Sequence, residues 1–484
     1  MASTSSQQQQ SYDCIILGAG PAGMGAAIAL VEHGVTDILI VDRNRLIGGL
    51  ARTEMFDGNR FDIGPHRFFT KNREINALWN QTLGDDFRPV DRLTRIYYNH
   101  QFFHYPIKAF ETFWKLGLAE SAHALGSFLY EKMVHQTEAQ TFEDWIVQKF
   151  GSKLYQTFFK TYTEKVWGIP CNQIGAEWAA QRIKGLDITQ VLKNAIFGDP
   201  QQEIKTLVDR FDYPLLGAGQ MYEAMMDNVV NRGGSVMLDS RVTAFHRKDH
   251  AIAAIAVTDG EGHTYHMTAN HYFNSIPLTH FFQLLIPEES ADVQQAASTL
   301  YYREHITVNL VINGNQLFPD QWIYIHAPDV KMARLANYNN FSPAMVKDPA
   351  QSALSVEYFT FKHEGLWQMT DEDLKQLAID ELSYLRLVEK GMVQQAWVVR
   401  ETESYPTYFL GYQESYEKLK GTMDRYTNIT PIGRGGMYKY NNQDHSTLSG
   451  ILAVRNYLNL PGTPYNLWEI NTDAAYHESA SRGN

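Results

Sequence analysis

Cysteine is scarce in this sequence: Cys14 and Cys171 are the only two among 484 residues. Two thiols supply neither a disulfide framework nor a cysteine metal site, so we expect no bound metal. A chain with so little cysteine fits a reducing compartment, and we predict that the protein is cytoplasmic.

An excess of basic residues is also missing. The chain has 42 lysines and arginines against 54 acidic residues, which gives a net charge of −12. That balance argues against a surface that binds nucleic acid. It still allows a local basic pocket for an anionic small-molecule substrate.

The sequence has no uninterrupted apolar run long enough to span a membrane. Residues 14–31 carry no charge, but glycines and a proline interrupt the run, and the helical pattern begins only after them. We therefore predict no transmembrane segment. The opening residues, MASTSSQQQQ, have neither the basic region nor the apolar core of a secretory signal, so we expect a disordered leader there.

One stretch organises the rest of the chain, and it runs from Tyr12 to Asp42. It predicts a buried strand over residues 13–17, a turn with the pattern G-x-G-x-x-G, a helix, and a second strand over residues 38–41. Asp42 follows 19 residues after the last glycine of the pattern. At that place a carboxylate can accept both ribose hydroxyls of an adenosine and would repel a 2′-phosphate, so NADP is disfavoured.

Each glycine of the pattern has a mechanical reason. Gly18 allows the tight turn, Gly20 lets the backbone approach a pyrophosphate, and Gly23 lets the helix pack closely on the strand. The phosphates would lie at the N-terminus of the helix, where free N–H groups and the helix dipole favour negative charge. The stretch therefore predicts a dinucleotide site.

A second glycine pair, Gly48-Gly49, follows Asp42 and precedes Arg52. Paired glycines permit close approach of a ligand, and Arg52 could meet a phosphate or the electron-rich edge of a flavin. Both turns together match the way in which flavoproteins of the amine oxidase and glutathione reductase type hold FAD. We therefore predict FAD rather than NAD.

Patterns further along predict the fold class, which is α/β: a Rossmann-type FAD-binding domain with an inserted helical domain and a β-sheet substrate domain. Helical spacing predominates from about residue 106, and alternation of apolar and polar residues predicts a small meander after Gly234. The predicted order is a leader (1–11), a discontinuous FAD-binding domain (12–100 with 214–280 and 425–460), a mostly helical insert (101–213), a β-rich substrate-binding domain (281–424) and a C-terminal tail (461–484).

Several motifs agree with one family. They are GAGPAG, IGGLART, FDIGPHRFF, HYP, TFEDWIVQKFG, KVWGIP, EWAAQRI, QWIYI, an arginine followed by NNFSP, SYPT and GRGGMYKYNNQDHS. On these the chain resembles the UDP-galactopyranose mutases, the eukaryotic branch more than the bacterial one, within the flavin amine oxidase superfamily.

The resemblance implies roles for particular residues. His66 matches a histidine on the flavin-facing loop, and Arg182 and Arg334 match two arginines that clamp the substrate diphosphate, so these three form the expected catalytic set. Tyr105 matches an aromatic residue of the uracil pocket, and Tyr405 and Tyr440 match tyrosines beside the phosphates or the sugar. The expected substrate-binding set is Tyr105, Lys108, Thr163, Trp167, Trp322, Tyr324, Tyr405 and Tyr440. The expected cofactor-binding set is Gly18, Gly20, Gly23, Asp42, Gly49, Arg52, Gly64, Val242, Arg434, Asn442, Gln443 and Ser446.

The chain departs from the family pattern at four places. Ile107-Lys108 replaces Phe-Gln in the base pocket, Phe341 replaces a phosphate-binding tyrosine, Thr163 replaces an asparagine, and Pro65 replaces a second glycine near the flavin. Loss of one hydroxyl to a buried phosphate could cost about 1–3 kcal/mol. Lys108 could compensate, or it could indicate a different substrate.

The resemblance implies that reduced FAD attacks the anomeric carbon of a nucleotide sugar through N5, so that pyranose and furanose interconvert without net redox change. An external reductant would then supply the reduced flavin. The altered pocket leaves a second hypothesis open: an FAD-dependent oxidoreductase of the amine oxidase or protoporphyrinogen oxidase type. A third is a binding protein that retains FAD without catalysis.

Overall fold

A computed structural model of the chain describes residues 10–105, 107, 109–134, 138–176, 178 and 210–471. Two of the expected site residues, Lys108 and Arg182, lie outside these residues. Strands and helices are numbered below along the described part of the chain.

The first sheet is organised around the strand that precedes the glycine turn. Among the described residues its eight strands are β1 (Gln10–Leu17), β2 (Ile38–Val41), β9 (Ser235–Met237), β10 (Ser240–Lys248), β11 (Ala251–Asp259), β12 (Thr264–Asn274), β13 (Leu285–Ile286) and β19 (Ile429–Pro431). Strand β1 pairs in parallel with β2 and β12, while β10, β11 and β12 are antiparallel neighbours. The strand, turn and second strand expected around the glycines and the expected meander are therefore confirmed.

Helices cover both faces of this sheet. They are α1 (Pro21–Glu32), α2 (Arg73–Leu83), α8 (Gly219–Asn231), α9 (Leu278–Gln283), α10 (Ala291–Thr299), α13 (Tyr412–Met423), the single turn α14 (Gly433–Gly436) and α15 (Gln443–Tyr457). A Cβ on Gly23 would lie 1.8 Å from the carbonyl oxygen of Gly18, so only glycine permits this contact between α1 and the turn. A Cβ on Gly450 would likewise lie 2.1 Å from the carbonyl oxygen of Ala22, which places α15 directly against α1.

The second sheet brings together distant parts of the sequence. Its seven strands in the described residues are β6 (Thr94–Tyr98), β7 (Gln101–His104), β14 (Tyr302–Asn313), β15 (Trp322–Ile325), β16 (Arg334–Asn337), β17 (Gln351–Thr360) and β18 (Val393–Pro406). Helices α11 (Gly365–Gln368) and α12 (Asp371–Tyr384) follow β17, and α12 packs its apolar residues on one face of this sheet. The other face turns toward the cavity described below.

A helical layer and two hairpins complete the described structure. The helices are α3 (Ala109–Leu116), α4 (Leu118–Val134), α5 (Phe142–Phe150), α6 (Ser152–Tyr155), a π-helical turn (Gln156–Lys160) and α7 (Thr161–Trp167). The strand pairs are β3 (Thr53–Phe56) with β4 (Asn59–Asp62), and β5 (Phe87–Asp91) with β8 (Arg210–Pro214). Helix α5 begins at a capping box in which Thr141 and Asp144 satisfy each other's backbone N–H groups.

Three of the expected domain boundaries differ from the packing of the described residues. The boundary at residue 100 falls inside the β6–β7 hairpin, because both strands pair within the second sheet. Residues of α10 and α13 pack with the first sheet, so the β-rich domain is narrower than 281–424. The expected tail also begins later than 461, since Leu467 and Ile470 are buried in the core.

No described helix is long and apolar enough to cross a membrane. Both cysteines are free and buried. Within the described ranges, no cluster of three or more His, Cys, Asp or Glu side chains could hold a metal ion.

Candidate functional site

A cavity of about 1550 Å³ is lined by both sheets and by the helical layer. Every expected site residue that the structure describes lines it, except Gly23 and Arg52. The cavity has a cofactor end, where the glycine turn of β1 meets α15, and a substrate end on the second sheet. These two names are used below in that sense.

Two helix N-termini meet at the cofactor end. Helix α1 begins after Gly20 and α15 begins after Asn442, and neither residue caps its helix with a side-chain hydrogen bond. The first N–H groups of each helix therefore lack intrahelical partners, and the two helix dipoles add positive potential. The nearest atom to a Cβ on Gly20 is the Cα of Gly49, at 3.7 Å, so the two glycine turns lie back to back. This arrangement suits an anionic ligand.

Asp42 lines the same end of the cavity. Its Oδ2 accepts a hydrogen bond from the N–H of Ala19 at 2.6 Å, and its Oδ1 accepts one from the N–H of Asn44 at 2.7 Å. Burial raises the pKa of this carboxyl, and the two N–H donors oppose that rise. Each oxygen keeps a further lone pair for a ligand hydroxyl, and Val242 lines the cavity nearby.

Arg52 takes a different place from the expected one. Its guanidinium is buried and donates to Glu54 at 2.7 Å, to the carbonyl of Gly49 at 3.0 Å, and to Glu401. It does not line the cavity. Arg52 therefore fixes the second glycine turn from behind and ties it to β18, and its side chain does not face a phosphate or a flavin.

The residues of α15 and of the preceding loop are held by side-chain contacts. The Gln443 amide donates to the carbonyl of Arg67 at 2.8 Å and accepts from Tyr222 at 2.8 Å. The Arg434 guanidinium donates to the carbonyls of Asn441 at 3.0 Å and Ser404 at 3.1 Å. These contacts fix the N-terminal turn of α15, which includes Ser446, at the cavity wall.

His66 lies at the junction of the two ends, on the loop after β4. Its Nδ1–H donates to the carbonyl of Gly64 at 3.0 Å, because a carbonyl can only accept. Burial, together with Arg434 and Arg334, lowers the pKa of His66 to about 4. The imidazole is therefore neutral at physiological pH, and its Nε2 is a hydrogen-bond acceptor.

A buried charge network crosses the second sheet. Arg334 on β16 is in register with Glu357 on β17, and its Nη2 donates to the Glu357 carboxylate at 2.5 Å. The Nε2–H of His305 donates to the same oxygen at 2.9 Å, and Arg334 Nη2 lies 3.4 Å from the Tyr405 hydroxyl. Burial raises the pKa of Glu357, but Arg334 and His305 outweigh that effect and hold the pKa below its ordinary value. The pair is therefore ionised.

Aromatic side chains line the substrate end beside this network. The Tyr324 ring contacts Tyr105 at 5.1 Å, Tyr162 at 5.3 Å and Trp322 at 6.4 Å between centroids, in edge-on arrangements. Such rings can hold a planar base or the apolar face of a sugar while their polar atoms bind its edges.

A second aromatic group is formed by residues of α7, β18 and the loop before α15. The rings of Tyr405 and Tyr440 stack at 5.3 Å, and Trp167 lies 6.3 Å and 6.0 Å from them. The Arg434 guanidinium lies 4.7 Å from the Tyr440 ring. Cationic and phenolic groups thus converge on the part of the cavity next to Arg334.

Sequence reasoning missed three supporting residues. Glu357 accepts a hydrogen bond from Arg334, and His305 donates to Glu357. The Lys165 ammonium donates to the carbonyls of Ile325, Ala327 and Met332, which holds α7 on the second sheet. The one available signal was Glu357 itself, a single charge inside the apolar stretch SALSVEYFTF. A charge in a buried strand needs a partner, but the sequence does not say which one.

The described departures from the family pattern differ in where they lie. Pro65, Ile107 and Thr163 line the cavity, whereas Phe341 does not. The Phe341 ring is buried against Tyr213 at 4.9 Å and Trp322 at 6.0 Å. The phenylalanine at this position therefore removes no hydroxyl group from the cavity surface.

The described residues fit FAD. Close-packed glycine turns, two helix N-termini without side-chain caps and Asp42 line the same cavity as the neutral His66 and Arg434. Asp42 would bind the ribose hydroxyls of the adenosine, and the helix N-termini would hold the pyrophosphate.

The sequence profile of the flavin containing amine oxidoreductase family matches residues 21–430, and the chain belongs to this family. A probable UDP-galactopyranose mutase from Klebsiella pneumoniae is 29% identical over 243 residues, which cover 49% of this chain and 58% of that protein. The match thus spans less than two thirds of the relative's length.

Solved structures share the fold across nearly the whole chain. A crystal structure of reduced UDP-galactopyranose mutase superposes with a TM-score of 0.81 at 19% identity and covers 96% of both chains. A putrescine oxidase with putrescine bound superposes with a TM-score of 0.61 at 13% identity, over 93% of this chain and 100% of that one. The chain therefore has the fold of a flavin-dependent enzyme, and the expected fold class and resemblance are confirmed.

Proposed function

We propose that the protein is an FAD-dependent mutase that interconverts the pyranose and furanose forms of a nucleotide sugar, with UDP-galactose as the first candidate. The observation that carries the proposal is the position of Arg334, which lies beside the stacked Tyr405 and Tyr440 in the same cavity as the glycine turn. A cation with two phenols suits a diphosphate next to a sugar.

When bound in its reduced form, the flavin would supply a nucleophilic N5 for the anomeric carbon of the sugar. The residues of the chain hold the other reacting group. Arg334 offers its guanidinium to the diphosphate as it leaves and returns, and the Tyr405 and Tyr440 hydroxyls supply hydrogen-bond donors beside it. The proposed reaction is redox-neutral, so an external reductant is needed only to generate the reduced cofactor.

His66 supports this proposal through its protonation state. A neutral imidazole whose Nδ1–H donates to Gly64 presents an unprotonated Nε2. That nitrogen can accept a hydrogen bond from a reduced flavin, which carries N–H groups that the oxidised ring lacks, or from a sugar hydroxyl. His66 thus favours the reduced cofactor without adding positive charge.

Titration of the flavin-loaded protein with UDP and UDP-galactose tests the proposal. We expect both to perturb the flavin absorbance, with tighter binding to the dithionite-reduced protein, and we expect chromatography to detect the furanose form only under reducing conditions. Failure of UDP to bind in either redox state, or net oxidation of the sugar, would overturn it.

A second candidate function is oxidation of an apolar substrate by the same flavin. The observation in its favour is the part of the cavity formed by the helical layer, where Phe128, Phe142, Phe150, Leu154 and Phe158 line the wall. Such a wall suits a large apolar ring or chain better than a sugar. Oxygen consumption with apolar amines or tetrapyrroles, without UDP binding, would favour this candidate.

A further inference from the structure

The network around Arg334 contains a carboxylate that does not itself line the cavity. Glu357 is fully buried, and its neighbours Arg334, His305 and Gly64 all line the wall. Any effect of Glu357 on a ligand therefore passes through these neighbours.

The contact with the His66 loop is close. Gly64 has a φ of +85°, and a Cβ there would lie 2.8 Å from Oε2 of Glu357 and 3.5 Å from Nη2 of Arg334. Only glycine allows the loop to lie directly on the carboxylate in this conformation. The ion pair and the loop that carries His66 therefore form one packed unit.

Arg334 and Arg434, the two arginines at the centre of the cavity, have different partners. Arg334 has a buried counter-ion in Glu357, with both charges in a low-dielectric surrounding. Arg434 donates instead to two neutral backbone carbonyls. A diphosphate that approaches Arg334 therefore meets a cation whose charge is already offset, together with the repulsion of a carboxylate a few ångströms further away.

We propose that Glu357 is a positioning residue of the diphosphate site: its carboxylate fixes the Arg334 guanidinium against Tyr405 and moderates the affinity for the diphosphate, so that the leaving group is released and recaptured in each cycle. This inference rests on the proposed function, because it requires an anionic leaving group at Arg334. It adds a residue that the sequence motifs do not include.

The variant Glu357→Gln separates this role from a merely structural one. Removal of a negative charge close to a diphosphate is expected to tighten UDP and inorganic pyrophosphate by about tenfold. Uridine, which has no phosphate, should bind as it does to the wild type. Turnover of UDP-galactose should fall at least about tenfold, because a diphosphate that Arg334 holds more tightly is released more slowly. A structural defect would instead weaken all three ligands.

The matched control is Glu381→Gln. Glu381 is also buried, and it accepts hydrogen bonds from the N–H groups of Lys331 and Met332 and from Tyr358, but it does not line the cavity. Its replacement should leave the affinities for UDP, pyrophosphate and uridine unchanged.

Calorimetric titration of the flavin-loaded, full-length proteins gives the result. Equal or weaker binding of UDP by Glu357→Gln would overturn the inference while leaving the proposed function intact. Failure of UDP and pyrophosphate to bind the wild type would overturn both. If Glu357→Gln does not load flavin, Glu357→Asp decides: it keeps the charge but sets it back by one methylene, so UDP affinity should stay within about threefold while turnover falls. Wild-type turnover in Glu357→Asp would overturn the inference.

Discussion

The cofactor end and the substrate end of the cavity are built by different means. At the cofactor end the wall is backbone: glycine turns, two helix N-termini and one carboxylate that bonds to backbone N–H groups. At the substrate end the wall consists of side chains, such as Arg334, Tyr405 and Tyr440, that are held by a buried charge behind the wall and by ring contacts. An added methyl group should therefore weaken ligand binding at the cofactor end, whereas deletion of a charged group should weaken ligand binding at the substrate end.

The largest effect is expected for Arg334→Ala at the substrate end. Glu357 would then lose its strongest partner inside the protein, and breaking a buried pair in this way costs about 3–5 kcal/mol of folding free energy. UDP binding should be lost as well. Urea denaturation and UDP titration measure the two effects.

Arg95→Ala is the matched control for that variant. Arg95 belongs to the same sheet and pairs with the buried Asp320 at 2.8 Å and 2.5 Å, but it does not line the cavity. A similar loss of stability with unchanged UDP affinity is expected. If Arg95→Ala weakened UDP binding as strongly as Arg334→Ala does, the loss of binding in Arg334→Ala would result from lost stability alone.

Asp62 is a buried acid at the end of β4, next to the loop that carries His66, and it accepts hydrogen bonds from Thr53, Tyr213 and the N–H of Ala218. Burial raises the pKa of Asp62 from 3.8 to about 7. Between about pH 4 and pH 7 the native state therefore holds a proton that the unfolded state has released. The contribution of Asp62 to the free energy of unfolding is complete below about pH 4 and falls as the pH rises to about 7, by up to about 1.4 kcal/mol per pH unit. Above that pH the contribution of Asp62 is constant.

Asp62→Asn should abolish this part of the pH dependence. Denaturation of the wild type and the variant between pH 4.5 and pH 8 gives the difference between their free energies of unfolding, and this difference should change with pH. Parallel curves would show that Asp62 ionises equally in both states.

At the cofactor end, Gly23→Ala should weaken FAD by about a hundredfold, because the added Cβ would force α1 away from the turn. The strain is specific to position 23, since a Cβ at Gly421 in α13 would meet no atom within 4 Å. Gly421→Ala should keep a full flavin content, and the ratio of flavin to protein absorbance compares the two. A fully loaded Gly23→Ala protein would contradict the close packing.

The same difference explains what could be predicted from the sequence. A glycine turn depends on local conformation, so Gly18, Gly20, Gly23 and the carboxylate at Asp42 are recognisable from spacing alone. Even at the cofactor end the pattern predicts the backbone but not every side chain. Its charge favours Arg52 as a ligand residue, but the side chain lies outside the cavity because it pairs with Glu54 and Glu401.

The substrate end depends on contacts between strands far apart in the sequence. A motif predicts Arg334, but its pairing with Glu357 depends on the register of β16 and β17, and the pairing of Glu357 with His305 depends on the register of β17 and β14. No local pattern contains either register. The same limit applies to Phe341, which the motif placed at a phosphate and the fold places in the core.

The smallest effect is expected for Phe341→Tyr. This variant tests whether position 341 lies in the core or at the substrate end of the cavity. The new hydroxyl would enter a buried cluster of Tyr213, Trp322 and Tyr338 rings, so a loss of about 1 kcal/mol of stability is expected from an unsatisfied polar group. UDP affinity should change by less than about twofold, because the ring does not line the cavity, and a hydroxyl without a ligand contact adds no binding energy. A tenfold gain in affinity would mean that the substrate end extends to Phe341. In that case it would resemble the family pattern more closely than the described cavity does.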